Sequence, residues 1–263
     1  MILKRVKGLV IDLDGCVYVG DKPVEGAAEA VRKLRAMGLR VVFLTNNSTL
    51  TRRQYVDKLA KMDVEAVVEE VLTSGVAAAK FIKNRGSGYR CFPVAENGFS
   101  VEAEALGLKI LDMTEWRSAD YVVVGLDRKL SYPKLANAAL AIRAGAFFLA
   151  TNLDNVYPSE EGFLPGAGSI ASMLHTATGV APHSVGKPSK EISQQALELL
   201  GLSNEEVVFV GDRPDTDVAA AKAVGCRSIL VKTGAYRLFE THPAKPDLVV
   251  DNLAKVPEVI STG

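Results

Sequence analysis

The chain reads as an α/β protein built on a parallel sheet, with a second α/β domain inserted into its sequence. Three observations predict this. Short β-branched runs alternate with segments of helical period near the start of the chain, and the same rhythm returns near its end. Between the two stretches the pattern changes, and turn-forming clusters mark the seams. Strand–helix–strand order of this kind implies right-handed crossovers, which parallel strands require.

Taken in order, VKGLVIDL (6–13) reads as a buried strand. Ala27, Ala30, Val31 and Leu34 then keep the 3.6-residue period of a helix that Gly38 is placed to end. RVVFLT (40–45) is the next strand, and Thr51 with Gln54 three residues on starts a helix reaching about Met62. Late in the chain, 189–201 reads as a helix, 205–212 as a strand, 215–224 as a helix, and 226–232 and 247–251 as strands. The middle carries strand candidates YRCFPV, LKILD, ADYVVVGL and AFFLAT, with helices at about 100–106, 131–144 and 168–178. NRGSG (84–88) and GVAPH (179–183) carry boundary chemistry. The expected division is therefore a core of 1–80 and 184–263 with an insert of 81–183. RKLRAMGLRVVFLTNNS and LAIRAGAFFLATNLDN share an order of helix, Gly, strand and Thr-Asn, which any αβ unit can produce without duplication.

Composition excludes several classes. Of 263 residues 48% are hydrophobic and 24% charged, as in a globular protein, and disorder needs the opposite balance. Thirty-one Lys+Arg against thirty-one Asp+Glu leaves no net basic charge, so nucleic acid is not an expected partner. Cys16, Cys91 and Cys226 are scattered and form no CxxC, which favours a reducing compartment over a disulfide framework or a zinc ribbon. The apolar stretch of MILKRVKGLVIDLDG meets Asp12 too early for a signal peptide, and no run is long enough to span a membrane. A cytoplasmic protein is expected.

The residues that carry chemistry gather at predicted strand ends. Asp12 and Asp14, two apart on an extended segment, point to one side. Ligands of open α/β sheets sit beyond the carboxyl ends of the strands. Two carboxylates held close need a cation or a shared proton. Gly15 permits a sharp exit of the chain. Asp212 follows another buried strand, and hard oxygen ligands of this type suit Mg2+. Asp217 lies one turn on, placed to orient a water or a neighbouring base, while Asp215 reads as a helix cap. Thr45, Asn46 and Asn47 offer a hydroxyl, amides and backbone N–H groups to an oxyanion; Lys187, after Gly186, offers a point positive charge. Together these parts suit phosphoryl transfer, in which a metal and a cation neutralise charge and donors hold the phosphoryl oxygens. A carboxylate can serve as nucleophile and a second as acid and base.

DLDGCVY, LTNNST, GKPS and GDRPDTD resemble motifs one to four of the haloacid dehalogenase superfamily of phosphatases, and more closely its NagD-like branch of p-nitrophenyl, phosphoglycolate and pyridoxal phosphate phosphatases. The likeness covers essentially the whole chain, TNLDN and PGAGS in the insert included. It implies a Rossmann-like core with an inserted α/β cap. It also implies Asp12 as nucleophile, Asp14 as general acid/base, and phosphoryl binding by Thr45, Asn46, Asn47 and Lys187. Mg2+ would be held by the Asp12 carboxylate, the Asp14 backbone carbonyl and the Asp212 carboxylate, with Asp217 in the outer shell. Pro214 stands where the branch often has Leu, and is compatible with a helix start. In such enzymes cap loops choose the leaving group, and 151–165 is the expected specificity loop: Asp154, Asn155 and Tyr157 either reach a substrate there or are ordinary polar loop residues. Trp116 and the apolar stripe along 135–142 read as core or subunit contact. The partner implied is a small phosphorylated metabolite, and a homodimer formed through the cap is common among such relatives.

Other readings are weaker. Gly166-x-Gly168-x-x-Ala171 spells a dinucleotide fingerprint, but EEGFLP before it does not read as the buried strand required. Gly186-Lys187 is followed by Pro188 and lacks the earlier Gly of a P-loop. No GxSxG elbow occurs, and His175, His183 and His242 read as surface or loop residues. A phosphorylatable Asp with Mg2+, Thr and Lys also describes a signalling receiver domain, although that needs no large insert and no Asp14. A phosphomutase uses the same machinery to move phosphate between positions. Dehalogenases of the superfamily lack the second Asp.

Overall fold

The computed structural model describes residues 3–159, 162–235 and 242–262. In chain order its strands are β1 (Gly8–Asp12), β2 (Tyr18–Val19), β3 (Lys22–Pro23), β4 (Arg40–Thr45), β5 (Val71–Thr73), β6 (Arg90–Val94), β7 (Lys109–Ile110), β8 (Tyr121–Val124), β9 (Phe147–Ala150), β10 (Val156–Ser159), β11 (Gly162–Pro165), β12 (His183–Ser184), β13 (Val207–Gly211), β14 (Arg227–Val231) and β15 (Leu248–Val250). The α-helices are α1 (Ala27–Ala36), α2 (Arg52–Ala60), α3 (Ser74–Asn84), α4 (Asn97–Ala105), α5 (Tyr132–Arg143), α6 (Ala167–Thr178), α7 (Lys190–Leu200) and α8 (Ala219–Ala223).

The described residues form two compact units. One takes those of Met1–Thr45, Arg53–Leu72 and Lys187–Gly263; the other takes Asn46–Arg52 and Thr73–Gly186. The first is organised by a sheet of order β15-β14-β13-β1-β4-β5, in which β1 pairs in parallel with both β4 and β13. Every residue of β1 and β13 is buried, which explains their continuous apolar runs: a parallel sheet is covered on both faces. The chain leaves β1 toward β4 on one side and later returns to β13 on the other. That reversal opens a crevice beyond the carboxyl end of β1. Asp12 ends β1, Thr45 ends β4, and Asp212 directly follows β13.

The second unit carries its own parallel sheet, β12-β9-β8-β6-β7. Phe92, Val122, Val124 and Phe148 of this sheet pack with Ala138, Ala141 and Ile142 of α5 and Leu174 of α6. Trp116 and Leu135, both partly buried, pack against the same core.

Several sequence expectations differ from the structure. The seam expected at 80 falls inside α3. This helix packs on α4, so the compact division lies after Leu72, and it closes after Gly186 rather than at 183. Neither β5 nor α3 was legible. Ser74 to Ala79 and Ile82 are all buried, so α3 lacks the polar face that makes a helical period visible. GFLP is a strand after all, paired antiparallel with β10. It is exposed, with Phe163 at 53%, and so still fails the buried-strand condition of a dinucleotide site. The helix expected over 215–224 is present, but its first turn, Pro214–Val218, is π-helical before it continues as α8. His183 lies in β12 with its ring stacked on Phe81, centroids 4.8 Å apart, and is not a surface-loop residue. Among the described residues no helix is long and apolar enough to cross a membrane.

Candidate active site

The first unit assembles its charged side chains at the carboxyl edge of the central strands. Asp12, Asp212 and Asp217 are buried, and each offers a carboxylate oxygen within 4.8 Å of the others. Lys187, 5% exposed, donates from Nζ to Asp12 Oδ1 at 2.5 Å and to Asp217 Oδ1 at 2.6 Å. Three buried carboxylates therefore face one buried ammonium. Taking such charges out of water is costly unless they are paired and hydrogen-bonded.

The titration behaviour expresses this imbalance. Burial lifts Asp12 well above the ordinary carboxylate range; Lys187 opposes the rise, and Asp217 and Asp212 add to it. Burial, reinforced by Asp217, pushes Asp212 up to about 7. Burial works against the charged form of Lys187, but Asp12 and Asp217 outweigh it and hold the ammonium above its ordinary pKa.

The donor set fits a small divalent cation. Asp212 Oδ2 accepts the Ala235 N–H at 2.5 Å, whereas its Oδ1 is buried and has no hydrogen-bond partner. An orphaned buried carboxylate oxygen is expensive unless a cation meets it. Asp217 is differently placed: Oδ1 holds Lys187, and Oδ2 accepts the Arg213 N–H at 3.1 Å. It orients its neighbours with both oxygens engaged. Asp215 is not the helix cap expected from sequence. It binds the Arg213 guanidinium through both oxygens, at 3.1 and 2.6 Å, and so braces the turn that carries Asp217.

Close packing keeps the carboxylates in place. Gly15 has φ +88°, and a Cβ there would run into the Asp212 carboxylate; a Cβ at Gly211 would run into that of Asp217. Thr233 Oγ1 donates to the Gly15 carbonyl at 2.5 Å, so the segment after β14 completes the wall. Sequence reading missed Thr233 and Ala235, although Gly234 after a buried strand was an available signal.

Asp14 stands apart from the three-carboxylate group. Its backbone bridges to Tyr18, and the buried Tyr18 hydroxyl donates to Asp14 Oδ2 at 3.4 Å. Lys58 Nζ lies 4.0 Å above the Tyr18 ring and donates to the Gly20 carbonyl. Burial raises the Asp14 pKa, against the opposing pull of Lys58 and Lys187 and of hydrogen bonds from Tyr18 and Thr45. A raised carboxyl pKa suits a group that must donate a proton. Tyr18 and Lys58 were not foreseen; a lysine on an amphipathic helix gives no signal of its own.

The remaining predicted residues lie in the second unit. Asn47 Oδ1 accepts from the Thr49 N–H at 3.0 Å and the Thr49 hydroxyl at 2.7 Å. Asn46 Nδ2 donates to Asp154 Oδ2 at 2.8 Å. Asn155 uses its carbonyl to accept from Ser169 Oγ and the Gly166 N–H, and Tyr157 pairs with Leu164 in the β10–β11 hairpin.

Comparison with known proteins agrees with this geometry. Residues 9–109 match the haloacid dehalogenase-like hydrolase family, and residues 184–256 match a second HAD-hydrolase-like family. The chain is 41% identical over 236 residues to an acid sugar phosphatase of Staphylococcus aureus strain MRSA252, covering 90% of each. Its fold matches p-nitrophenyl phosphatase from Archaeoglobus fulgidus with a TM-score of 0.90 and 37% identity, over 96% of this chain and 98% of that one. It also matches a glycerol phosphate phosphatase from Mycobacterium tuberculosis in complex with magnesium, with a TM-score of 0.87 and 34% identity, over 96% of this chain and 76% of that one. The chain belongs to the haloacid dehalogenase-like hydrolases and, within them, to the NagD-like phosphatases.

Proposed function

We propose that this phosphatase hydrolyses monoesters of small phosphorylated metabolites through an aspartyl-phosphate on Asp12, with Mg2+ as its cofactor. The observation that carries the reading is the buried set of Asp12, Asp212 and Asp217 around a single Lys187, with one Asp212 oxygen unpartnered. Mg2+ would be held by the Asp12 and Asp212 carboxylates and the Asp14 carbonyl, where it would supply charge neutralisation to the phosphoryl oxygens.

The residues then divide the work. An Asp12 oxygen attacks phosphorus in line, forming the acyl-phosphate bond as the ester P–O bond breaks. Protonated Asp14 gives its proton to the departing alkoxide. The resulting Asp14 carboxylate takes a proton from water as that water attacks phosphorus, which releases inorganic phosphate and restores Asp12. Lys187 fixes the Asp12 carboxylate through its 2.5 Å contact and lends its charge to the transferring group. Thr45, Asn46 and Asn47, consecutive after β4, would bind the phosphoryl oxygens. Uncatalysed hydrolysis of phosphate monoesters is so slow that roughly 20 kcal/mol of barrier lowering is needed. Preorganised charge supplies most of it.

The reading takes the second unit, Thr73–Gly186 with Asn46–Arg52, as a cap that selects the leaving group. It also carries a homodimer joined through that cap and a cytoplasmic location, for which three buried free thiols give support. The test is phosphate release from sugar phosphates, glycerol phosphate, phosphoglycolate, pyridoxal phosphate, nucleotides and p-nitrophenyl phosphate, with Mg2+ and with chelator. Release that depends on Mg2+ supports the reading. Release unaffected by chelator removes the metal, and phosphate moving between positions of one molecule would make the protein a mutase.

A further inference from the structure

Asp154 stands in the loop expected to choose the substrate, yet its carboxylate is turned onto the protein. Asp154 Oδ2 accepts two side-chain amides, from Asn46 at 2.8 Å and from Asn152 at 2.7 Å. Asn152 Oδ1 accepts in turn from the Thr151 hydroxyl at 3.0 Å, and Thr151 Oγ1 lies 3.3 Å from Ser48 Oγ. The side chains thus run from Asn46 through Asp154, Asn152 and Thr151 back to Ser48. This chain of hydrogen bonds leaves the 46–48 loop at one end and rejoins it at the other. Ser48, Thr151 and Asn152 are buried, where such bonds are strong and a broken one is expensive. Ser74 Oγ holds the Asn46 carbonyl at 2.5 Å, so Asn46 is gripped by backbone and side chain together. The two loops joined here follow β4 and β9 and are the two Thr-Asn sequences noted in the chain, Thr45-Asn46 and Thr151-Asn152.

We propose that Asp154 is a positioning residue for the phosphoryl-binding loop, acting through Asn46, and not a selector of the leaving group. The proposal rests on the reading that residues 45–47 bind the phosphoryl group. With its Nδ2 directed at Asp154, Asn46 keeps one amide orientation, and the loop backbone is presented to the phosphoryl oxygens in one arrangement. Asp154 Oδ2 is engaged by two protein amides on the side of the phosphoryl-binding loop, so a change at Asp154 should act on every leaving group alike.

Asp154→Asn keeps the shape and removes the charge that two amides share; Asp154→Ala removes the acceptor. Both are assayed as full-length protein for binding of inorganic phosphate by calorimetry with Mg2+, for kcat and KM on an aryl and an alkyl phosphate, and for thermal stability. A hydrogen bond to a charged group is worth enough that phosphate affinity should fall about tenfold in Asp154→Ala and less in Asp154→Asn. Values of kcat/KM should fall by one common factor on both substrates. Unchanged phosphate affinity in folded Asp154→Asn and Asp154→Ala would overturn the proposal, as would a loss confined to one leaving group. A purely structural role predicts lower stability with phosphate affinity unchanged in the folded protein, and also counts against it. Wild-type protein that binds phosphate without turning over any ester would defeat the phosphatase reading; the phosphate affinities of the variants would still decide the role of Asp154.

Discussion

Replacing Lys187 by methionine removes the one buried ammonium among three buried carboxylates while keeping a side chain of similar length. Lys187 bonds to Asp12 at 2.5 Å and to Asp217 at 2.6 Å, and all three groups are nearly inaccessible to solvent, so screening offers little relief. Breaking a buried ion pair by removing one partner costs about 3–5 kcal/mol. The two contacts do not add, because carboxylates left unpaired take up protons instead. For a chain of this size, each kcal/mol moves the melting temperature by about 2–4 °C, so a fall of roughly 6–20 °C is expected at pH 7 in chelator. The sign of the pH dependence follows from the carboxylates. Burial has raised the folded pKa of Asp212 to about 7 from 3.8, so the stability linked to its protonation is complete below the lower value and is lost as pH rises through the upper one. Asp12, already raised by burial, rises further once the opposing pull of Lys187 is gone, so the loss should shrink markedly at pH 5. Mg2+ at pH 7 should restore part of it by binding the native carboxylates. Thermal melts of both proteins at pH 5 and 7, with chelator and with Mg2+, measure all of this. A variant melting with the wild type at pH 7, or losing more at pH 5 than at pH 7, would refute the electrostatic argument.

Two further perturbations probe the same site. Asp14→Asn should lose about 10²–10⁴-fold on alkyl phosphates and far less on p-nitrophenyl phosphate, whose leaving group needs no proton. Wild-type turnover of alkyl esters should fall as pH rises through the raised Asp14 pKa; equal losses on both ester types would remove the acid role. Gly15→Ala must place a Cβ against the Asp212 carboxylate at φ +88°, costing at least ~1–2 kcal/mol of backbone strain. Isothermal titration should show weakened Mg2+ binding, and unaltered binding would dissociate Gly15 from the Asp212 geometry.

The parts legible in the sequence share one physical cause. β1, β4, β13 and β14 are buried almost throughout, so their apolar runs are continuous, and Asp12, Thr45 and Asp212 stand out where those runs stop. Residues that work through tertiary contact left no such mark. Lys58 looks like any helix lysine until it lies over Tyr18, and Asp215 looks like a cap until Arg213 claims it. Asp154 was noticed for its loop, but only the structure shows its carboxylate turned toward Asn46 and Asn152. α3 escaped because burial on nearly every side erased its period, and the β10–β11 hairpin because an exposed strand needs no apolar run.

The most direct test of the account is acid quenching of the enzyme during turnover of radiolabelled p-nitrophenyl phosphate. Label should be bound covalently to wild-type protein, stable to acid and released by hydroxylamine, and should map to the peptide that contains Asp12. Asp12→Asn should remain folded and show neither label nor turnover. Undiminished phosphate release by Asp12→Asn, or wild-type turnover with label on another residue, would contradict the assignment of Asp12 as the nucleophile.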